Sequence, residues 1–404
     1  MHRASHPSTP AAPRRAALAA CAVLLGASAQ AQTTTWQYTA IADSSAEFAS
    51  FSVPAINDLG QVAFVATFDD PGEGQTLYRY DGPGILIPVA DTSGVIKAFL
   101  GDPDLNAGGV VSFAATLDDD TVSVFAGSGG ALATIANTAV DGLTSLDPKP
   151  FISDTGAVVV VRGVRASDGA RVILKGTGAA GPQVLLDSTG GYDPLDVAGI
   201  NATGVVAFEA ESGGGTLRGV YRTTDGIAVT PIAEAPVGGV ADVQALDINN
   251  NGTVAFFSRD GAGTEALSVF TAGPAVVFAD TTGPFSSFGP ASVAESGATA
   301  FRGVFDLGLN AIFAGGTGLY EKATAVNDNL LGLAITGLDT GPQAVTNAGS
   351  FVFRASRANG TSGIYVAVPR AGGGGGGGGG SALDGLSLAA LLLAATATRR
   401  RFRP

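Results

Sequence analysis

Cysteine, methionine and histidine are almost missing from this chain of 404 residues. The one cysteine is Cys21, the one methionine is Met1, and the two histidines are His2 and His6, all near the start. From residue 32 onward there is no thiol and no imidazole. A Ser-His-Asp triad is therefore excluded there, as are a cysteine nucleophile and zinc sites built from His and Cys. Disulfides are excluded too, so the fold must stand on hydrophobic burial. Basic residues are scarce as well: the net charge is −13. A surface of that sign makes nucleic acid and anionic lipid poor partners. It leaves cations, calcium among them, as better ones, and it also serves the solubility of an exported protein.

Long apolar runs occur only at the two ends. At the start, Arg14 and Arg15 precede an apolar stretch over 16–26 and a small-residue site at Ala29-Gln30-Ala31. These are the three parts of a secretory leader, so residues 1–31 are expected to be removed by signal peptidase. Leu18-Ala19-Ala20-Cys21 mimics a lipoprotein box, but the apolar run continues past the cysteine. At the other end, a linker over 372–381 carries the glycine run Gly372 to Gly380, which has no side chains to pack. An apolar segment over 382–398 is expected to be helical, although short for a span of about 20 residues. The basic tail 399–404, with Arg399, Arg400 and Arg401, would stay on the cytoplasmic side. The part between the ends is then expected outside the inner membrane.

This order of glycine run, short apolar helix and arginine cluster resembles the glycine-glycine type of bacterial C-terminal sorting domain. The resemblance covers Gly372 to Pro404; the Pro-Glu-Pro motif of the exosortase type is missing, and so is the cysteine of the myxobacterial type. It implies cutting near the glycines by a rhomboid-like protease (a rhombosortase), after a transient stay in the inner membrane, and passage to the cell surface. A permanent tail anchor is the alternative.

Between the ends, one pattern occurs seven times: AINDLGQVAF, DLNAGGVVSF, FISDTGAVVV, GINATGVVAF, DINNNGTVAF, SVAESGATAF and AVTNAGSFVF. Its glycines, Gly60, Gly109, Gly156, Gly204, Gly252, Gly297 and Gly349, recur at a period of about 48 residues, the mark of a repeat architecture. Each unit shows three strand signals. The first follows the glycine and is almost continuously apolar, as in QVAFVATF. The second ends in an aromatic or large aliphatic residue, as in TLYRYDG. The third ends at an acid or amide, as in LIPVADTSG. A less regular fourth strand is expected before the next copy. Glycine- and proline-rich turns separate them, with no long helical periodicity before the tail. Four short strands at this period predict an all-β fold over residues 32–371, a seven-bladed β-propeller. The seventh unit stops before its third signal, and TWQYTAIADSS near residue 36 supplies the missing piece. The strand Trp36 to Ile41 is therefore expected to close the last blade and leave no open edge.

The copies resemble the tandem-repeat family named for its Asn-x-x-Gly-x-x-Ala-Phe signature, found in exported bacterial proteins with interchangeable C-terminal anchors. Asn57, Gly60, Ala63 and Phe64 fit it fully; the third unit has Ser153 for the asparagine and Val160 for the phenylalanine, and the sixth has Ala294 for the asparagine. The resemblance implies no catalytic residues and no defined function.

Candidate sites are few. The Asn-x-x-Gly element reads as a turn, since Asn bonds its own backbone and Gly takes positive φ. Asp247, Asn249 and Asn251 offer oxygens at alternate positions before a glycine, in the manner of a calcium loop, although Ser258 stands where an EF-hand has its distal acid. The residues ending the third strands, Asp43, Asp91, Asn137, Asp187, Glu234, Asp280 and Asn327, are expected to share one rim. They are either a polar rim for cations or sugar hydroxyls, or turn caps. Catalysis by two carboxylates stays open, but Glu47, Glu211, Glu265, Glu295 and Glu321 are scattered. The expectation is a non-catalytic binding or scaffold module at the cell surface, contacting polysaccharide or an envelope protein. The alternatives are a carboxylate-based glycan hydrolase or lyase, and a calcium-stabilised coat protein.

Overall fold

Every unit folds into one antiparallel sheet, and seven such sheets make a β-propeller. The structure is a computed structural model and describes residues 34–370 other than 240, 317 and 318. The leader, the glycine linker, the apolar tail segment and the arginine cluster lie outside the described residues. Among the described residues there is no helix, and so none long and apolar enough to cross a membrane.

Blade 1 shows the plan. Its innermost strand comes in two pieces, Phe48–Phe51 and Ala55–Ile56, and Val62–Phe68, Gln75–Tyr80 and Leu86–Asp91 follow outward. The irregular stretch before each copy is thus the strand nearest the axis, and the third signal is the outer edge. The Ala-Phe pair of the motif explains how neighbours pack. Successive residues of a strand face opposite sides, so Phe64 packs toward blade 7 and Ala63 toward blade 2. The same division holds for Phe208 and Ala207, and for Phe301 and Ala300. A large ring on one face meets a small methyl on the next. That interdigitation fills the wedge between blades and leaves Phe64, Phe208 and Phe301 with no exposed surface.

The third unit corrects one expectation. The amide of Asn57 donates to the carbonyl of Gln61, four residues on, but that of Ser153 donates to Val158, five residues on. The extra residue is taken up at Ala157, which has φ of 47°. Register therefore slips by one along Val159–Arg165, and the side chains of that strand change face. Val161, not Val160, stands in the phenylalanine place and packs toward blade 2, while Val160 faces blade 4.

Closure follows the expected route. Thr35–Asp43 pairs antiparallel with Ser362–Arg370, from Thr35 opposite Arg370 to Asp43 opposite Gly363. Trp36 meets the Phe351 ring edge-on at 5.1 Å, and the Tyr38 hydroxyl donates to the Ala323 carbonyl of blade 6. The first strand therefore ties down two blades.

Candidate functional site

Alternating strand direction puts the seven motif turns on one face of the ring and the trailing ends of the outer strands on the other. On the motif face, Asn57 Oδ1 accepts from the amides of Leu59 at 3.1 Å and Gln61 at 3.0 Å, and the amide of Gly60 (φ 75°) donates to the Asn57 carbonyl at 2.9 Å. That is the expected Asx turn. The same side chain does more. Its Nδ2 donates to the carbonyl of Asn106 in blade 2 at 2.9 Å. Asn106 reaches Ser153, Asn201 reaches Asn249, and Asn249 reaches Ala294 in the same way. The motif asparagine is both a cap and a staple between blades. In blade 3, which has Ser153 instead, the Thr155 hydroxyl donates to the Ala202 carbonyl and makes the link.

The next position forms a second belt. Amides of Ala107, Ala202, Asn250 and Asn347 donate to the side chains of Asp154, Asn250, Glu295 and Asp58, each in the following blade, and in blade 6 the amide one place further on, Ser296, donates to Asn347. Below these lies an apolar collar of one side chain per blade: Ile56, Leu105, Ile152, Ile200, Ile248, Val293 and Val345, all buried. The motif-face mouth is thereby reduced to a polar pit of about 50 Å³. Under the collar, Asp104 accepts from the amides of Leu105 and Ile152, and Asp247 from those of Ile248 and Val293 and from the Ser292 hydroxyl. Burial pushes their carboxyls up, to about 7 for Asp104 and about 6 for Asp247, against the opposing pull of those amides.

The sequence-derived residues fall as follows. Asp247, Asn249 and Asn251 do not converge on one point: Asp247 faces the axis, Asn249 caps the amide of Thr253 and staples to Ala294, and the Asn251 amide donates to the Glu295 carbonyl. Among the described residues, no group of three or more His, Cys, Asp or Glu is placed to hold a metal. The acids and amides of the third signals sit at the outer strands, far out on the face opposite the motif turns. Asp43, Asp91, Asp187 and Asp280 each accept from the amide and hydroxyl of the Ser or Thr two residues on. The Ser93 hydroxyl and amide hold the Asp91 carboxyl below its usual range. Asn137 caps Ala139 and Val140. Glu234 lies inside Thr230–Pro236 and accepts from the Tyr221 hydroxyl at 2.7 Å, and Asn327 takes φ of 74° in a turn.

The larger opening is on this opposite face, at the axis, and sequence reading did not find it. It is a cleft of about 480 Å³, within the range of about 300–1,000 Å³ usual for small-ligand sites. The leading halves of the innermost strands of blades 3 to 6 build it. Lys149, Asp196, Asp242 and Gln244 supply polar groups, and Phe257 and Phe288 supply half-buried ring surface. A bulge opens it: between Phe288 and Ala291 the inner strand of blade 6 slips against its neighbour, looping out Gly289 and Pro290. A Cβ on Gly289 would lie 2.5 Å from Arg302 Nε, so a larger residue there would displace the Arg302 side chain.

Ion pairs shape the rest of the cleft. Arg259 pairs with Glu265 at 2.6 Å, and Arg218 bonds the buried Glu209 and lies 3.7 Å from Asp242. Burial raises the Glu209 carboxyl despite Arg218. Asp196 and Asp242 each give one oxygen to the next backbone amide, Val197 and Val243. The clue in the sequence was a set of charged residues in the irregular fourth stretches, which only the ring brings together.

No family model and no curated protein matches the chain. Among solved structures, prolyl oligopeptidase B from Galerina marginata superposes with TM-score 0.52 at 10% identity, over 77% of this chain and 47% of that one. A prolyl endopeptidase gives TM-score 0.52 at 13% identity, over 79% and 47%. A single-residue mutant of the Aleuria aurantia lectin, in complex with α-methyl-L-fucoside, overlaps loosely, with TM-score 0.40 at 10% identity over 69% and 96%. The chain spans about half the length of the two peptidases, and what it shares with them is the β-propeller fold.

Proposed function

We propose that this chain is a non-catalytic binding or scaffolding module, exported and sorted to the cell surface, which takes extracellular polysaccharide or a projecting part of an envelope protein. The observation that carries the reading is the axial cleft, where hydrogen-bonding side chains and aromatic faces stand together in one concave opening. Its placement supports tethering as well. The third strand of blade 7 ends at Arg370 on the motif face, the side away from the cleft. Propellers serve many functions, so the fold supports binding in general terms only. A glycan array and a pull-down with the full-length chain test the proposal. Binding to one class of glycan or envelope protein, lost at least about tenfold in Asp242→Ala/Phe288→Ala, is expected. Blank results at every salt and calcium level would remove it.

A second reading has one observation behind it. Asp196 and Asp242 line the same cleft, and glycan hydrolysis or elimination can run on two carboxylates. Release of reducing ends from a bound glycan, abolished in both Asp196→Asn and Asp242→Asn, would favour it over simple binding.

A further inference from the structure

The chain has four lysines. Lys97 pairs with Asp120, Lys322 pairs with Asp328, and Lys175 donates to the Gly204 carbonyl. Lys149 differs. It lines both the axial cleft and a small separate hollow between blades 1, 2, 3 and 7. Among the described residues its ammonium has no carboxylate or carbonyl partner, only the Phe151 ring at 5.8 Å. Its backbone is fixed by Pro148 and Pro150, and the Pro150 carbonyl accepts from the Ser112 hydroxyl of blade 2 at 3.3 Å. Proline on both sides removes most of the backbone freedom of the loop. A rigidly presented cation, unmatched in a protein of net charge −13, is a site for a negative group that the protein itself does not supply.

We propose that Lys149 binds a carboxylate on the ligand, and that the ligand is an acidic oligosaccharide in which uronic acid residues are separated by neutral sugars. The proposal rests on the reading of the cleft as a glycan site and deepens it. Several features select this chemistry. Asp196, Asp242, Gln244 and Ser287 around the same opening accept hydrogen bonds from sugar hydroxyls, and Phe257 and Phe288 present ring faces to apolar sugar C–H surfaces. One unpaired ammonium matches one carboxylate. A dense polyanion would meet Asp196, Asp242 and the acidic surface, and like-charge repulsion disfavours it. Across the bulge, Arg302 Nε has no hydrogen-bond partner among the described residues, and Arg302 Nη1 lies 3.8 Å from the Asp339 carboxylate. The guanidinium adds positive potential behind Gly289.

The test uses the full-length chain and two probes: a hyaluronan tetrasaccharide, in which glucuronate alternates with N-acetylglucosamine, and the same tetrasaccharide with its carboxyls reduced to alcohols. Calorimetry on the wild type is expected to show at least about tenfold tighter binding of the acidic form, the size of a charge-assisted hydrogen bond. Lys149→Met should bind both forms equally and weakly, and Lys149→Arg should restore the preference. Circular dichroism confirms that both variants fold. Equal binding of both forms by the wild type, or a preference that survives Lys149→Met, overturns the assignment of Lys149 while leaving the glycan cleft standing. Binding of neither form overturns both.

Discussion

One side chain of the motif caps a turn and joins two blades, and each task can be removed separately. Asn57→Asp keeps the acceptor for Leu59 and Gln61 but loses the donor to Asn106, and it sets a charge against that carbonyl. A cost of about 1–3 kcal/mol in urea unfolding is expected. The complementary test adds the residue where the chain lacks it. The sixth turn closes with the same backbone bonds as the others, Ala294 to Ala298 and Gly297 to Ala294. Ala294→Asn is expected to gain about 1 kcal/mol through a bond to blade 7; no gain would mean that the staple contributes nothing beyond the turn. The buried pair Asp104 and Asp247 gives a pH signature. Their folded values, about 7 and about 6, lie above the ordinary 3.8. The folded state therefore holds protons that the unfolded chain has released, and stability falls as pH rises from about 4 to about 7. Carboxylates held low, such as Asp81 beside Arg79, act below that window. The urea midpoint is expected to drop across it in the wild type, and to stay flatter in Asp104→Asn/Asp247→Asn.

Among the strands, the first carries the most consequence for its length. Deleting residues 35–43 removes the outer strand of blade 7, the Trp36–Phe351 contact and the Tyr38 link to Ala323. It leaves Ser362–Arg370 as a bare edge, and association through that edge, seen as larger species on gel filtration with a lower melting temperature, is expected. A monomer with unchanged melting would show closure to be dispensable. This strand was legible in the sequence because TWQYTAIADSS repeats the outer-strand signal that the seventh unit lacks. Blade number and strand order were legible for the same reason: period and alternation are local. The slip in the third blade was not, because one extra turn residue at Ala157 is invisible when four valines follow in a row and any register looks apolar. The cleft was not legible either. Lys149, Asp196, Asp242 and Phe288 belong to four blades, about one period apart in the chain, and no spacing in the sequence marks them as neighbours.

At the scale of the whole ring, cohesion comes from seven similar interfaces, six with Phe and one with Val161 set against small side chains, backed by two belts of hydrogen bonds around the axis. Nothing in that arrangement calls on a metal, since the oxygens of Asp247 accept from amides and the Ser292 hydroxyl, and Asn249 Oδ1 from the Thr253 amide. Chelation is therefore expected to leave the melting temperature within about 1 °C; a fall of several degrees would instead assign calcium a structural place. The pairing of Thr35 with Arg370 also sets a timetable. A strand made first has its partner made last, so during synthesis it must stay unpaired until almost the entire domain has emerged. Blades 1 to 6 can assemble in order as their residues arrive, each on the one before. The seventh cannot, and the rate at which the finished protein appears is then governed by a single long-range encounter between the two ends of the domain.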